Sequence, residues 1–178
     1  MEDNQVIDQQ QRTDALDPER SFIVQAPAGS GKTEILTQRF LCLLSRVDKA
    51  PEQVVAITFT KKAAAEMRAR IHQSLQKAKN TLEPEAQHAK TTWNLAQKVL
   101  QRDQKENWGL IENPNRLRVM TIDALCARIT RAAPLLTQFG SQPDVMQDPS
   151  RCYLNAARAL INSMQDSFAL HRIMLHLD

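Results

Sequence analysis

Three short apolar runs punctuate the chain, at residues 22–25, 54–59 and 117–122, and each precedes a stretch whose apolar positions recur at helical spacing. After the first run, Leu36, Phe40, Leu43 and Leu44 are spaced i, i+4, i+7 and i+8, with Ile35 and Leu41 widening the stripe. A helix apolar on more than one side is expected to be sandwiched against a sheet. After the second run, residues 60–79 put Ala64, Met67, Ile71 and Leu75 on one face. After the third, Ile122, Leu125, Cys126 and Ile129 share a face. Strands alternating with helices predict parallel βαβ units, so the expected fold class is α/β.

Elsewhere the pattern is weaker. Residues 81–113 turn polar and glutamine-rich, yet Ala89, Trp93, Ala96 and Leu100 keep helical spacing. This predicts a surface helical hairpin, with Trp93 and Trp108 as its packing anchors, closed by the turn Asn113-Pro114-Asn115. Beyond the breakers Pro134, Gly140 and Pro143, Asp148-Pro149 reads as a helix cap followed by proline at the first helical position. The helix it opens carries Tyr153, Ala156, Ala157, Leu160, Ile161 and Met164 on one face.

Composition narrows the class. With 178 residues, 42% apolar and 24% charged, the chain has the make-up of a globular protein with a real core. A net charge of +3 means that a nucleic-acid partner must be argued from where charges sit. Cys42, Cys126 and Cys152 each lie beside apolar residues and are expected as reduced core or near-core thiols of a cytoplasmic protein. Residues 1–13 show no export signal, and no apolar run is long enough to cross a bilayer. The four histidines lack ligand spacing with the cysteines, so no metal cluster is expected.

The chemistry concentrates in Ala26-Pro27-Ala28-Gly29-Ser30-Gly31-Lys32-Thr33, between the first expected strand and its helix. This is G-x-x-x-x-G-K-[ST] with alanine in place of the first glycine. A loop turning back at a helix N-terminus aims backbone N–H groups at one point, where the helix dipole also favours an anion. Gly29 and Gly31 allow positive φ and close approach to phosphates, Lys32 reaches the outer phosphates, and the Thr33 hydroxyl is placed to hold Mg2+. A different P-loop class, such as a small kinase or GTPase, and a non-catalytic nucleotide- or DNA-binding fragment remain open on these residues. An N-K-x-D base-reading motif, which would support a GTPase, is not found.

Gln11-Arg12, this loop, the stretch A-I-T-F-T-K-K-A-A-A-E-M-R-A-R-I at 56–71, and M-T-I-D-A-L-C-A-R-I at 120–129 together resemble the superfamily 1 DNA helicases of the UvrD/Rep type. Within them the chain is most similar to the RecB- and AddA-like helicase–nuclease branch. The resemblance implies a P-loop parallel sheet, the first RecA-like motor domain, over residues 1–141, with a helical insertion at about 72–115. A helical subdomain would start at 142–178. It implies ATP and Mg2+ as cofactors. The ATP contacts would be Gln11, its amide reading the adenine edge, and Ala26, Pro27, Ala28, Gly29, Ser30, Gly31, Lys32 and Thr33. Lys32 and Thr33 would be the catalytic pair, with Thr33 on the metal.

Phe59, Thr60, Lys61, Thr121 and Asp123 would contact single-stranded DNA, the aromatic stacking on bases and the hydroxyls holding phosphates. Arg116, Arg118, Arg128 and Arg131 add a second local basic excess. Two departures stand out. Glu34 replaces an arginine that often stacks on the base, and Asp123 stands where a histidine is usual. Without the family, Asp123 also reads as a metal-holding aspartate at the end of a strand. The full-length enzyme so implied couples ATP hydrolysis to 3′-to-5′ movement on DNA and strand separation, in repair or recombination. A second helicase–nuclease subunit is an expected partner. The D-E-x-Q motif, the second motor domain and any nuclease domain would lie beyond residue 178, so residues 1–178 alone are expected to be inactive.

Overall fold

The structure, a computed structural model, describes residues 8–27, 29–133, 146–163 and 172. It divides into two compact units, Met1–Ile129 and Thr130–Asp178. The boundary expected near residue 141 falls outside the described residues, as do the breakers Pro134, Gly140 and Pro143, and Met164.

In the first unit, α1 (Gln9–Asp14) precedes the loop and α2 (Lys32–Arg46) follows it. Then come β1 (Val55–Thr58), α3 (Lys61–Asn80), α4 (Gln87–Glu106), β2 (Arg118–Thr121) and the start of α5 (Ile122–Ala132). The strands β1 and β2 pair in parallel, with Val55 opposite Arg118 and Thr58 opposite Thr121. A parallel pair needs a long crossover, here the helices α3 and α4. At the start of each strand a 3-10 turn, Pro51–Gln53 or Pro114–Arg116, contributes one partner of a clasp. Arg116 donates from Nε and Nη2 to the two carboxylate oxygens of Glu52, at 2.8 and 3.2 Å.

Alternation makes the small sheet two-faced. Val119 and Thr121 are buried on the side that meets α3, while Val55 and Ile57 are 42% and 52% exposed on the other. The core lies among the helices. Leu41 and Leu44 of α2, Ile71 and Leu75 of α3 and Ala96 and Val99 of α4 are fully buried in one cluster, to which Trp108 and Leu117 add. Positions 64, 71, 75 and 78 of α3 recur every three, four or seven residues, which is the one-sided stripe of an amphipathic helix. Thr60 opens α3 by accepting a hydrogen bond from Ala63 N, and Asn107, in the left-handed region at φ 53°, closes α4.

Several expectations are corrected. Residues 22–25 form no strand: their neighbours in sequence are held by a side chain instead of a ladder. Arg39 donates to the carbonyls of Ala15, Asp17 and Arg20. Its guanidinium also faces the Phe22 ring, which Arg20 faces as well, each 5.2 Å from the centroid. A strand exists only where a neighbour takes its N–H and C=O groups, and β1 and β2 bond to each other. Ile23 is accordingly 98% exposed.

Nor is α2 sandwiched on the sheet; it packs chiefly on α4 and next on α3. Its buried stripe includes Ile35, Thr37, Phe40, Leu41 and Leu44, and Leu36 lies outside it. The stretch expected as a surface hairpin supplies α4, which is a wall of the core. Trp108 is buried and Trp93 packs against the cluster, as anchors should. Of the three cysteines Cys42 is buried, but Cys126 and Cys152 are exposed.

In the second unit α6 (Ser150–Ser163) begins where expected: Asp148 Oδ1 accepts from Ser150 N and Oγ, capping the helix. Its Tyr153, Leu154, Leu160 and Ile161 are exposed.

Candidate nucleotide and nucleic-acid sites

The loop carries the backbone that phosphate binding asks for. Gly29 and Gly31 sit at φ 79° and 87°, in the left-handed region where a side chain is strained. A Cβ on Gly29 would meet nothing within 4 Å, so that residue borders open space, whereas one on Gly31 would come within 3.2 Å of Arg12 Nη1. Gly31 is the cap of α2 and offers no side chain, which leaves the first N–H groups of the helix without a side-chain cap. Lys32 folds back over the loop, its Nζ donating to the carbonyls of Ala26 at 2.7 Å and Pro27 at 2.6 Å. Ser30 Oγ donates to Pro27 O at 2.8 Å. The Thr33 side chain is exposed at the second position of α2. Ala28 lies outside the described residues. These groups fit a polyphosphate: open space beside Gly29, uncapped N–H groups, and an ammonium held by carbonyls it can exchange for anionic oxygens. Toward a magnesium ion the loop offers the exposed Thr33 hydroxyl, that of Ser30 being turned to Pro27 O.

Arg12 holds the loop from the other side. It donates from Nε and Nη2 to the Asp8 carboxylate at 2.8 and 2.9 Å, and from Nη2 to Ser30 O at 2.9 Å. The bond from Arg12 holds the Asp8 carboxyl below its usual range and raises the guanidinium in turn. Gln11, on the same helix, is exposed, and its amide has no partner among the described residues. Glu34 is turned toward α4, where its carboxylate accepts hydrogen bonds from Thr92 Oγ1 and, at 3.4 Å, from Gln38 Nε2.

The parallel register brings a second group of residues together. Because Thr58 lies opposite Thr121, the chain leaves both strands at the same end of the sheet and enters two helices there. Thr60 caps α3, and Thr121 caps α5 by accepting from Ala124 N at 3.2 Å. Two helix N-termini side by side form a surface suited to phosphates. Phe59 is 91% exposed between β1 and α3, Lys61 opens α3, and Asp123 is exposed in the first turn of α5. Thr121 is 6% exposed and its hydroxyl oxygen is engaged as a cap.

Arginines from separate parts of the chain also converge. Arg68 of α3 joins Arg116, Arg118 and Arg128 around a depression of about 300 Å3, with Glu52 as the carboxylate in its lining. Arg68 donates from Nη2 to Val119 O, and Arg116 is committed to Glu52.

Sequence reasoning used Arg12 only as part of the Gln11-Arg12 match, without a role, and passed over Arg39 and Thr92. The i, i+4 spacing of Asp8 and Arg12 is a visible ion-pair signal. Nothing local marks the contacts of Arg39 with Ala15, Asp17 and Arg20 or of Thr92 with Glu34, which span 19 to 58 residues.

A family model, the UvrD/REP helicase N-terminal domain, matches residues 7–149. A DNA helicase II from Rickettsia typhi is 33% identical over 117 residues, which is 66% of this chain and 16% of that protein. A DNA helicase II from Salmonella typhimurium is 46% identical over 67 residues, 38% of this chain and 9% of its own length. An ATP-dependent DNA helicase PcrA from Staphylococcus epidermidis is 51% identical over 53 residues, 30% and 7% of the respective lengths. The chain thus spans less than a fifth of these relatives. No solved structure matches it.

Proposed function

The chain belongs to the UvrD/REP helicase N-terminal domain family, and from that premise we propose that it is the ATP-binding, DNA-contacting first part of an ATP-dependent DNA helicase. The observation that carries the nucleotide half is the loop: two left-handed glycines, a helix N-terminus without a side-chain cap, and Lys32 resting on Ala26 and Pro27 carbonyls. In this reading ATP takes the ammonium from those carbonyls, and the triphosphate lies on the N–H groups of residues 29–33. Gln11 reads the base edge from α1, which Arg12 fastens to the loop. Thr33 supplies one ligand to Mg2+, whose chemistry when bound is to neutralise charge on the phosphates.

The DNA half rests on Phe59, Thr60, Lys61, Thr121 and Asp123 meeting at one end of the sheet. Phe59 offers a stacking face, while the N-termini of α3 and α5 and Lys61 take phosphates. Thr121 acts there through its cap on α5. Membership of the RecB/AddA-like branch, 3′-to-5′ polarity, a role in repair or recombination and a helicase–nuclease partner are the finer parts of the proposal. They rest on the long helical insertion and on the motif resemblance.

Titration with ATP tests the reading. Lys32→Ala is expected to lose measurable ATP affinity while keeping the wild-type melting temperature, because the lysine bonds only to part-exposed loop carbonyls. Equal ATP affinity in wild type and variant would remove the loop from the function.

A further inference from the structure

We propose that Glu34 is a built-in competitor for the loop's anion site, and that Thr92 and Gln38 hold it away, so that α4 sets how open the site is to phosphate. The inference rests on the nucleotide-binding reading and deepens it. Glu34 is the third residue of α2. A glutamate at that position commonly folds back to accept hydrogen bonds from the N–H groups at its own helix start. Those are the groups a phosphate would use. Gly31 at the cap gives no side chain to engage or exclude it.

The carboxylate is instead drawn sideways. Thr92 Oγ1 lies within donating distance of Glu34 Oε1 and of its own helix's His88 O at 3.2 Å, the carboxylate being the nearer and charged acceptor, and Gln38 Nε2 donates to Thr92 Oγ1 at 2.9 Å and lies 3.4 Å from both Glu34 Oε1 and His88 O. Gln38 is 7% exposed, so its amide must find partners where it sits. Burial therefore fixes the donor pair, and α4 provides half of it. A Glu34 released from Thr92 would oppose phosphate twice, by occupying its donors and by placing a negative charge beside it.

The test is ATP titration of wild type, Thr92→Val, Thr92→Ser, Glu34→Ala and the double variant, joined to amide exchange without nucleotide. Thr92→Val should weaken ATP binding about fivefold, the worth of a typical helix cap, and Thr92→Ser should restore it. Glu34→Ala should bind ATP more tightly than wild type, and adding Thr92→Val to it should change nothing. Weaker binding in Glu34→Ala, or a Thr92→Val loss that persists without Glu34, would overturn the proposal and leave Thr92 a packing residue.

Amide exchange at Gly31, Lys32 and Thr33 should slow in Thr92→Val, because the freed carboxylate now caps them, and recover in the double variant. Unchanged or faster exchange in Thr92→Val would also overturn it. A wild-type chain that binds no ATP would sink the nucleotide reading instead, and the exchange result would still decide this one.

Discussion

The two ends of α2 are held by different physics. From its middle onward the helix is held by burial, with Leu41 and Leu44 fully enclosed against α3 and α4. At its start, long cationic side chains grip backbone carbonyls: Arg12 on Ser30, and Lys32 on Ala26 and Pro27. A buried leucine contributes about 1.5–3 kcal/mol and cannot be exchanged without leaving a void. A hydrogen bond to a part-exposed carbonyl is worth about 1 kcal/mol net, and water or a ligand can replace it. The difference teaches where change is permitted. The core end provides a fixed mount, and the loop end is organised weakly enough for an anion to reorganise it.

The largest expected effect sharpens this contrast from the core side. Leu75→Ala empties a fully buried position of α3 and should cost about 2–5 kcal/mol in urea unfolding. The ATP affinity of the molecules that remain folded should stay at the wild-type value. A parallel fall in affinity would mean that the loop shares the core's rigidity, and the contrast would break.

A smaller effect is expected at the exposed end of the sheet. Phe59→Ala removes a ring that is 91% exposed, so the melting temperature should not move. Affinity for single-stranded DNA should fall by about 1–3 kcal/mol when compared at one salt concentration, since phosphate contacts shift with ionic strength. A lower melting temperature with unchanged DNA affinity would return Phe59 to the core and remove stacking from the function.

The same contrast explains what could be read in the chain. The loop was legible because its chemistry is local: glycines, lysine and threonine act on neighbours within a few residues. The strands near 55 and 118 were legible as apolar runs, and so was the capping of α6 by Asp148. Residues 22–25 have an equally apolar pattern, yet whether a run becomes a strand depends on a partner elsewhere in the chain. The burial of α4 was hidden by its glutamines and lysines, because small residues such as Ala96 carry much of its inner face. In α2 the stripe was misjudged where Leu36 is exposed and Thr37 is buried, the Thr37 hydroxyl donating to Thr33 O at 2.9 Å. The role of Glu34 depends on Thr92, and no spacing rule connects residues so far apart.

The smallest expected effect appears in acid, and it sets the two regions side by side. In each, one carboxylate–guanidinium pair has a carboxyl shifted by its partner: Asp8 with Arg12 at the loop, and Glu52 with Arg116 at the foot of the sheet. Both carboxyls lie below their ordinary values, chiefly through the hydrogen bonds donated by their arginines. A carboxyl depressed in the folded state stabilises in full above its unfolded value and loses that contribution as pH falls through the folded one. For Glu52 the loss therefore sets in below about 4.5, and for Asp8 below about 3.8. Solvent screening limits the Glu52 pair to roughly 0.5 kcal/mol. Urea unfolding followed from pH 6 downward should show a shallower acid decline in Glu52→Gln than in wild type. Asp8→Asn should change that decline less, because its carboxyl is at the surface, and should speed amide exchange around Ser30, whose carbonyl Arg12 holds. If Asp8→Asn flattens global unfolding as much as Glu52→Gln does, the loop end unfolds together with the core, and the two ends of α2 are not the separate regions described.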